Sequence, residues 1–391
     1  MTNTNIATIT PHEILDMFPF LYAAAIKRGD IGLQPAKMLW GMPGIGKSDV
    51  IKQMAQKTAE LTGKKCNVTV ASLLLMSPVD LRGIPTKDEV EVDGAKELVA
   101  RWLKPQIFQM DPSDDVLNFL FLDEISAAPP AVQAAAYQIV LDRRVGEHAF
   151  PANCVVIAAG NRVTDRAVAY KMPKPLANRF THYEMTIDAD DWCQWAYAHG
   201  IHQYIIGYIR FNPDHLVSFD PSNDDVAFPT PRSWELVNQY LIDGAEYAKA
   251  RGLNVIDAMY SNIAGTIGAS HAIDFKAYVD VYANLPVWAD IASGKAKKCT
   301  IAAKELGTLY ALASMLVVNS LNEFTKLAGK ADELTKFLDT VGAYINTLPR
   351  KDISTLIMRD LLRSASNEAR NAIVRNKQFA AVLRDVVDLI V

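Results

Sequence analysis

Short runs of near-continuous apolar character recur through the first half of the chain. They lie at residues 37–40, 67–72, 116–122, 154–159 and 183–187. A strand with one wet face alternates apolar and polar residues, whereas a strand buried on both faces does not. These runs therefore predict a parallel sheet covered on both sides. Between several of them the period becomes helical, as at 50–61 and 131–141. Thr10-Pro11 supplies a cap and a first-turn proline for a helix over residues 9–28, with Ile14, Phe18, Leu21, Tyr22 and Ala25 at helical spacing. The alternation predicts an α/β architecture.

The pattern changes after about Asp188. Residues 190–199, 232–249, 301–327, 331–345 and 376–391 read as helices. Phe379, Val382, Leu383, Val386, Val387 and Ile390 recur at helical spacing and predict a buried or partner-docked face at the C-terminus. With 391 residues there is room for two or three domains. The formal net charge of -4 gives no indication of nucleic acid as a partner. Cys66, Cys154, Cys193 and Cys299 are scattered without metal-ligand or redox spacing, which predicts reduced thiols and a cytoplasmic protein. The start of the chain lacks the features of a secretion signal. The longest apolar run, near 309–318, is interrupted by Ser314 and is too short to span a bilayer, so no membrane partner is expected.

One segment carries a specific chemistry. Gly41-Met42-Pro43-Gly44-Ile45-Gly46-Lys47-Ser48 matches G-x-x-x-x-G-K-[ST]. It follows an apolar strand and leads through Asp49 into a helical stretch. Glycines let backbone N–H groups turn toward phosphate, and the helix N-terminus adds its positive end. The candidate nucleotide-binding residues are Gly41, Pro43, Gly44, Ile45, Gly46, Lys47, Ser48 and Asp49, with ATP and Mg²⁺ as the expected ligands. Lys47 is expected on the β- and γ-phosphates, and Ser48 on the metal.

Two strand ends add to this. The run at 116–122 ends in Asp123-Glu124. Parallel strands present their C-terminal ends to the ligand crevice, which places Asp123 near the metal and Glu124 beside the attacking water as its base. The run at 154–159 ends in Gly160-Asn161, and the Asn161 amide can both donate to and accept from that water. Taken singly, an exposed Asp-Glu turn and an Asn in a turn are the structural alternatives.

This order of motifs resembles the AAA+ ATPases, specifically the dynein-related, MoxR-like branch with a helix-2 insert. The resemblance covers residues 10–250 well and the rest weakly. It implies a P-loop AAA+ core with a parallel sheet over 1–188, a helical lid over 189–275 and a helical extension over 276–391. Asn161 matches the sensor 1 position. The stretch Met172 to Phe180 is similar to the arginine-finger region, with Arg179 as the finger. The stretch Phe228 to Glu235 is similar to sensor 2, with Arg232 reaching from the lid. Permanent charge and a planar fork suit arginine to both roles, and surface ion pairing is the alternative for each. Residues 77–102, alternating around Asp93-Gly94, resemble the insert hairpin, and 142–151 resemble the hairpin before sensor 1. Either hairpin could face a client or serve as a packing flap. Arg162 and Arg166 are candidates to support the finger.

The resemblance implies a ring of about six subunits that hydrolyses ATP to remodel or mature a protein client. It also implies a partner with a von Willebrand factor A domain. A restriction-type, nucleic-acid-associated NTPase and a nucleotide-gated scaffold are the alternatives.

Overall fold

The apolar runs of the first half do pair into one sheet. The computed structural model describes residues 6–92, 95–165, 170–380 and 382. The chain divides into two compact units, Met1–Ile187 and Asp188–Val391.

The first unit contains β1 (Ala7–Ile9), α1 (Pro11–Arg28), β2 (Ala36–Trp40), α2 (Lys47–Thr62), β3 (Lys65–Ser72) and α3 (Pro78–Arg82). The hairpin strands β4 (Ile84–Val92) and β5 (Ala95–Leu103) follow, then β6 (Val116–Asp123) and α4 (Pro130–Asp142). A short hairpin, β7 (Arg144–Val145) and β8 (His148–Ala149), precedes β9 (Cys154–Gly160), α5 (Lys174–Ala177) and β10 (Phe180–Met185). Six strands form a sheet in the order β1-β10-β2-β9-β6-β3. All of its pairings are parallel.

The central strands explain the unbroken apolar runs. On β6, Leu117, Phe119 and Phe121 pack with Ile14 and Phe18 of α1 and Val50, Ile51 and Met54 of α2. The intervening Leu120 and Leu122 face the other way, onto Val132, Ala136 and Ile139 of α4. Each of these fully buried side chains contributes about 1.5–3 kcal/mol through removal from water. Thr10 and Glu13 form a reciprocal cap that starts α1, and Gly29 in the left-handed region ends it.

The second unit is helical. It contains α6 (Ala189–Ala198), α7 (Gln203–Phe211), α8 (Pro231–Arg251), α9 (Val255–Ile267) and α10 (Ala269–Asp280). It continues with α11 (Trp288–Ala292), α12 (Leu306–Lys326), α13 (Ala331–Ile345), α14 (Lys351–Ser364) and α15 (Asn367–Arg375). Leu309, Leu312 and Leu316 of α12 pack with Leu338 and Val341 of α13 and Ile357 and Leu361 of α14. An ion-pair group links α6, α7 and α14, with Arg210 and Asp360 buried and Asp190 and Arg359 partly exposed. Arg210 bonds Asp360 at 2.8 Å and also Asp190, while Arg359 reaches Asp190 at 3.0 Å. Among the described residues no helix is long and apolar enough to cross a membrane.

Three sequence expectations shift. The last strand of the sheet starts at Phe180 rather than 183, because Phe180, Thr181 and His182 pair with Ala36, Lys37 and Met38. The polar Thr181 and His182 hid its start. The helix expected from 301 begins at Leu306, because Ala302 and Glu305 close a turn on each other instead. β3 lies at the sheet edge and is only partly buried, unlike the central strands. The insert hairpin is present as β4–β5, while its Asp93-Gly94 turn lies outside the described residues. Most of the expected 376–391 helix lies outside them too, including Leu383, Val386, Val387 and Ile390.

Candidate active site

The strand order decides what meets at the C-terminal edge of the sheet. β9 lies between β2 and β6, so the residue after β9 falls between the glycine loop and the Asp-Glu pair. In register, Trp40 sits beside Gly160, Leu122 beside Ala158 and Ser72 beside Asp123.

The loop from Gly41 to Gly46 needs its glycines. Gly44 and Gly46 have φ of 79° and 85°, where an L side chain is strained. A Cβ on Gly41 would lie 2.4 Å from Ile45 Cδ1, so the buried Ile45 can fold under the loop only because Gly41 has no side chain. Gly46 caps α2 with no side chain, so no capping group occupies the first turn of that helix. Uncapped first-turn N–H groups behind a glycine loop are an arrangement that suits an anion. Pro43 is half-buried in the loop. Asp49 turns to solvent and pairs with Lys52 at 3.6 Å.

Lys47 Nζ donates to Asn161 Oδ1 at 3.0 Å, and to the Gly41 and Met42 carbonyls at 2.7 and 2.9 Å. The ammonium is thus held between two carbonyls of its own loop and the end of β9. Ser48 Oγ donates to Asp123 Oδ2 at 2.9 Å. A hydroxyl and a carboxylate at this separation are the hard oxygen donors that suit Mg²⁺.

Glu124 departs from ordinary backbone geometry, with φ of 55°. Such a conformation costs about 1–3 kcal/mol, and it marks the turn as constrained by its surroundings. Those constraints are visible. The Glu124 N–H donates to Asp123 Oδ1 at 2.9 Å, and Ser72 Oγ donates to Glu124 Oε2 at 3.2 Å. Ile125 N–H donates to the Ala159 carbonyl at 3.0 Å. The fully buried Ser126 accepts from Asn161 N–H at 3.0 Å. A Cβ on Gly160 would lie 2.7 Å from Ser126 Oγ, so this close approach also depends on glycine. The turn after β6 and the end of β9 are therefore stitched into one piece. Ser72 and Ser126 carry no motif of their own, and only the folded chain brings them here.

The arginines behave differently from one another. Arg162 forms ion pairs with the buried Asp165 at 2.8 Å and with Glu184 on β10. Those carboxylates, with the Asp165 hydrogen bonds foremost, raise its pKa further. Arg162 is thus a clamp within its own unit, and Arg166 lies outside the described residues. Arg179 is exposed in the turn after α5, and no side-chain partner of it is found among the described residues. Arg232, in the first turn of α8, belongs to the second unit and is likewise exposed. Its helix starts at Thr230, whose side chain accepts from Ser233 N–H at 3.1 Å. His199 and His202 have local partners: His199 Nδ1 contacts the Trp195 carbonyl, and His202 Nδ1 accepts from Tyr204 N–H.

No protein-family model matches this chain, and no curated protein matches it. Solved structures similar to it include a point variant of RuvB from Thermotoga maritima. That chain is 17% identical with a TM-score of 0.39, the match covering 71% of this chain and 78% of that one. Another is PCH-2 of C. elegans, 14% identical with a TM-score of 0.33, the match covering 80% and 69%. The all-parallel six-stranded sheet, the glycine loop after β2 and the helical second unit make this an α/β fold with a separate helical unit.

Proposed function

We propose that this chain is an ATP-hydrolysing AAA+ motor of the MoxR-like type. It works as a ring of about six subunits that remodels or matures a protein client, beside a partner with a von Willebrand factor A domain. Residues 1–188 act as the ATPase domain, 189–275 as the lid and 276–391 as the helical extension. The observation that supports ATP hydrolysis is the convergence of Lys47, Ser48, Asp123, Glu124 and Asn161 at one edge of the sheet, while the MoxR-like type, ring, client and partner rest on the sequence resemblance.

The residues present fit MgATP. The loop accepts no side chain at Gly41, and its positive-φ glycines suit a backbone wrapped around an anion. Bound Mg²⁺ supplies charge neutralisation for the leaving phosphates, and Ser48 and Asp123 would hold it. Lys47 offers an ammonium to the terminal phosphates in place of its loop carbonyls. Glu124 takes the proton of the attacking water. Asn161 aligns that water, with its backbone fixed by Ser126 and its amide in contact with Lys47. Arg179, exposed and without a side-chain partner among the described residues, is suited to enter a neighbour's site and stabilise charge there. Arg232 would approach from the lid.

The experiment is steady-state turnover of ATP and GTP by the purified protein with Mg²⁺, together with its assembly state with and without nucleotide. ATP turnover that disappears in Lys47→Ala supports the reading. ATP binding and ring assembly without turnover would make the chain a nucleotide-gated scaffold instead. Salt-dependent DNA binding coupled to GTP turnover would favour the restriction-type alternative.

A further inference from the structure

We infer that His182 is a positioning residue for Arg179, tying the turn that carries this arginine to the strand that launches the phosphate loop. The inference rests on the reading of Arg179 as a residue supplied to a neighbour's site.

Trp40 is the last residue of β2, immediately before Gly41. Its indole Nε1–H lies 2.9 Å from His182 Nδ1. An indole nitrogen can only donate, so Nδ1 must accept. The imidazole proton of neutral His182 is then on Nε2, which lies 2.7 Å from the Ala177 carbonyl, a group that can only accept. The Trp40 and His182 rings also stack, with centroids 6.0 Å apart and planes 16° apart. Ala177 is the last residue of α5, two positions before Arg179.

α5 spans only Lys174–Ala177, which leaves it little cooperative stability of its own. Arg179 N–H donates to the Leu176 carbonyl at 3.0 Å, so the arginine's backbone hangs directly on this single turn. Within that turn Leu176 is buried, while Lys174 and Pro175 are exposed. The Nε2 contact to Ala177 is thus a polar tether from the body of the sheet to the exposed turn. A displacement of the turn by about 1 Å is enough to cost on the order of a hundredfold in a reaction that depends on Arg179 placement.

The two arms of His182 can be cut separately. An Asn side chain places its carbonyl near Nδ1 and keeps the Trp40 arm. A Gln side chain places its amide near Nε2 and keeps the Ala177 arm. His182→Asn is expected to lower kcat about tenfold or more with ATP affinity within about twofold of wild type, and His182→Gln to stay close to wild type. Mixing His182→Asn with Lys47→Ala subunits should restore activity, as it should for Arg179→Ala, because the Lys47→Ala neighbour contributes an intact Arg179 turn. A merely structural defect within the subunit would not be restored in this way. The inference is overturned if His182→Asn turns over normally. It is also overturned if its loss is not restored under conditions where Arg179→Ala is restored. An Arg179→Ala control that turns over normally, or is never restored, shows that the underlying reading of Arg179 has failed, and the inference falls with it.

Discussion

Lys47 and Asn161 are 114 residues apart in sequence, yet Lys47 Nζ donates to Asn161 Oδ1 at 3.0 Å. The contact exists because β9 is inserted between the loop strand β2 and the Asp-Glu strand β6. Through Asn161 the glycine loop is tied to Ser126 in the turn after β6. Asn161→Ala is expected to keep most ATP affinity and to lower kcat by about 10². A nucleotide-binding titration alongside steady-state turnover separates the two effects. A variant that loses binding and keeps kcat would show that Asn161 only holds Lys47.

Ser126 supplies the oxygen that satisfies the Asn161 backbone N–H at 3.0 Å and is itself fully buried. Ser126→Ala leaves that donor without its partner. Such a loss costs about 1–3 kcal/mol of stability. Denaturant unfolding should show the shift in midpoint. An unchanged midpoint would mean that water or another group reaches the Asn161 N–H.

Lys37 is buried on β2 against the rings of Phe18 and Tyr22, its Nζ 5.0 and 4.6 Å from their centroids. Burial, with a smaller repulsion from Arg143, pushes its pKa down from 10.5 to about 8. The unfolded chain then binds more protons than the folded chain between about pH 8 and 10.5. Stability should therefore rise with pH across that window, as the buried charge is given up. Lys37→Met should stabilise the protein at pH 7 by about 1–3 kcal/mol and flatten this rise. Unfolding titrations at pH 7, 9 and 10.5 check both statements. A less stable Lys37→Met variant would show that the ring contacts outweigh the cost of burying the charge.

In the second unit Asp360 is 1% exposed and bonds Arg210 at 2.8 Å, with Arg359 and Gln194 also against it. Removing the carboxylate leaves the buried Arg210 guanidinium with Asp190 as its remaining carboxylate partner among the described residues. Asp360→Ala is expected to destabilise the protein by about 3–5 kcal/mol. A double replacement by apolar residues at Arg210 and Asp360 should recover much of that loss. Thermal unfolding of the single and double variants distinguishes a required ion pair from a penalty for breaking it.

The central sheet was legible because β2, β6 and β9 are apolar on both faces, which leaves a signal in sequence alone. The loop was legible because its glycines and Lys47-Ser48 are contiguous. β1 was not, since three residues carry no pattern. The start of β10 was not, since the polar Thr181 and His182 stand between Phe180 and the run read as a strand. Ser72, Ser126 and His182 act through contacts with Glu124, Asn161 and Trp40 that the chain makes only once folded, and none belongs to a contiguous motif. Arg162 read in sequence as a support for the Arg179 finger, and its ion pairs with Asp165 and Glu184 were not legible there.

Glu124 stands at the centre of the account, with its φ of 55° and its carboxylate within reach of Ser72. The most direct measurement is ATP binding and hydrolysis by Glu124→Gln beside the unaltered protein. Glutamine keeps the size of the side chain and the contact with Ser72, but it cannot take a proton from water. The account predicts ATP affinity near that of the unaltered protein and turnover at least about a hundredfold slower. Equal turnover in the two proteins, or none in either, would contradict it.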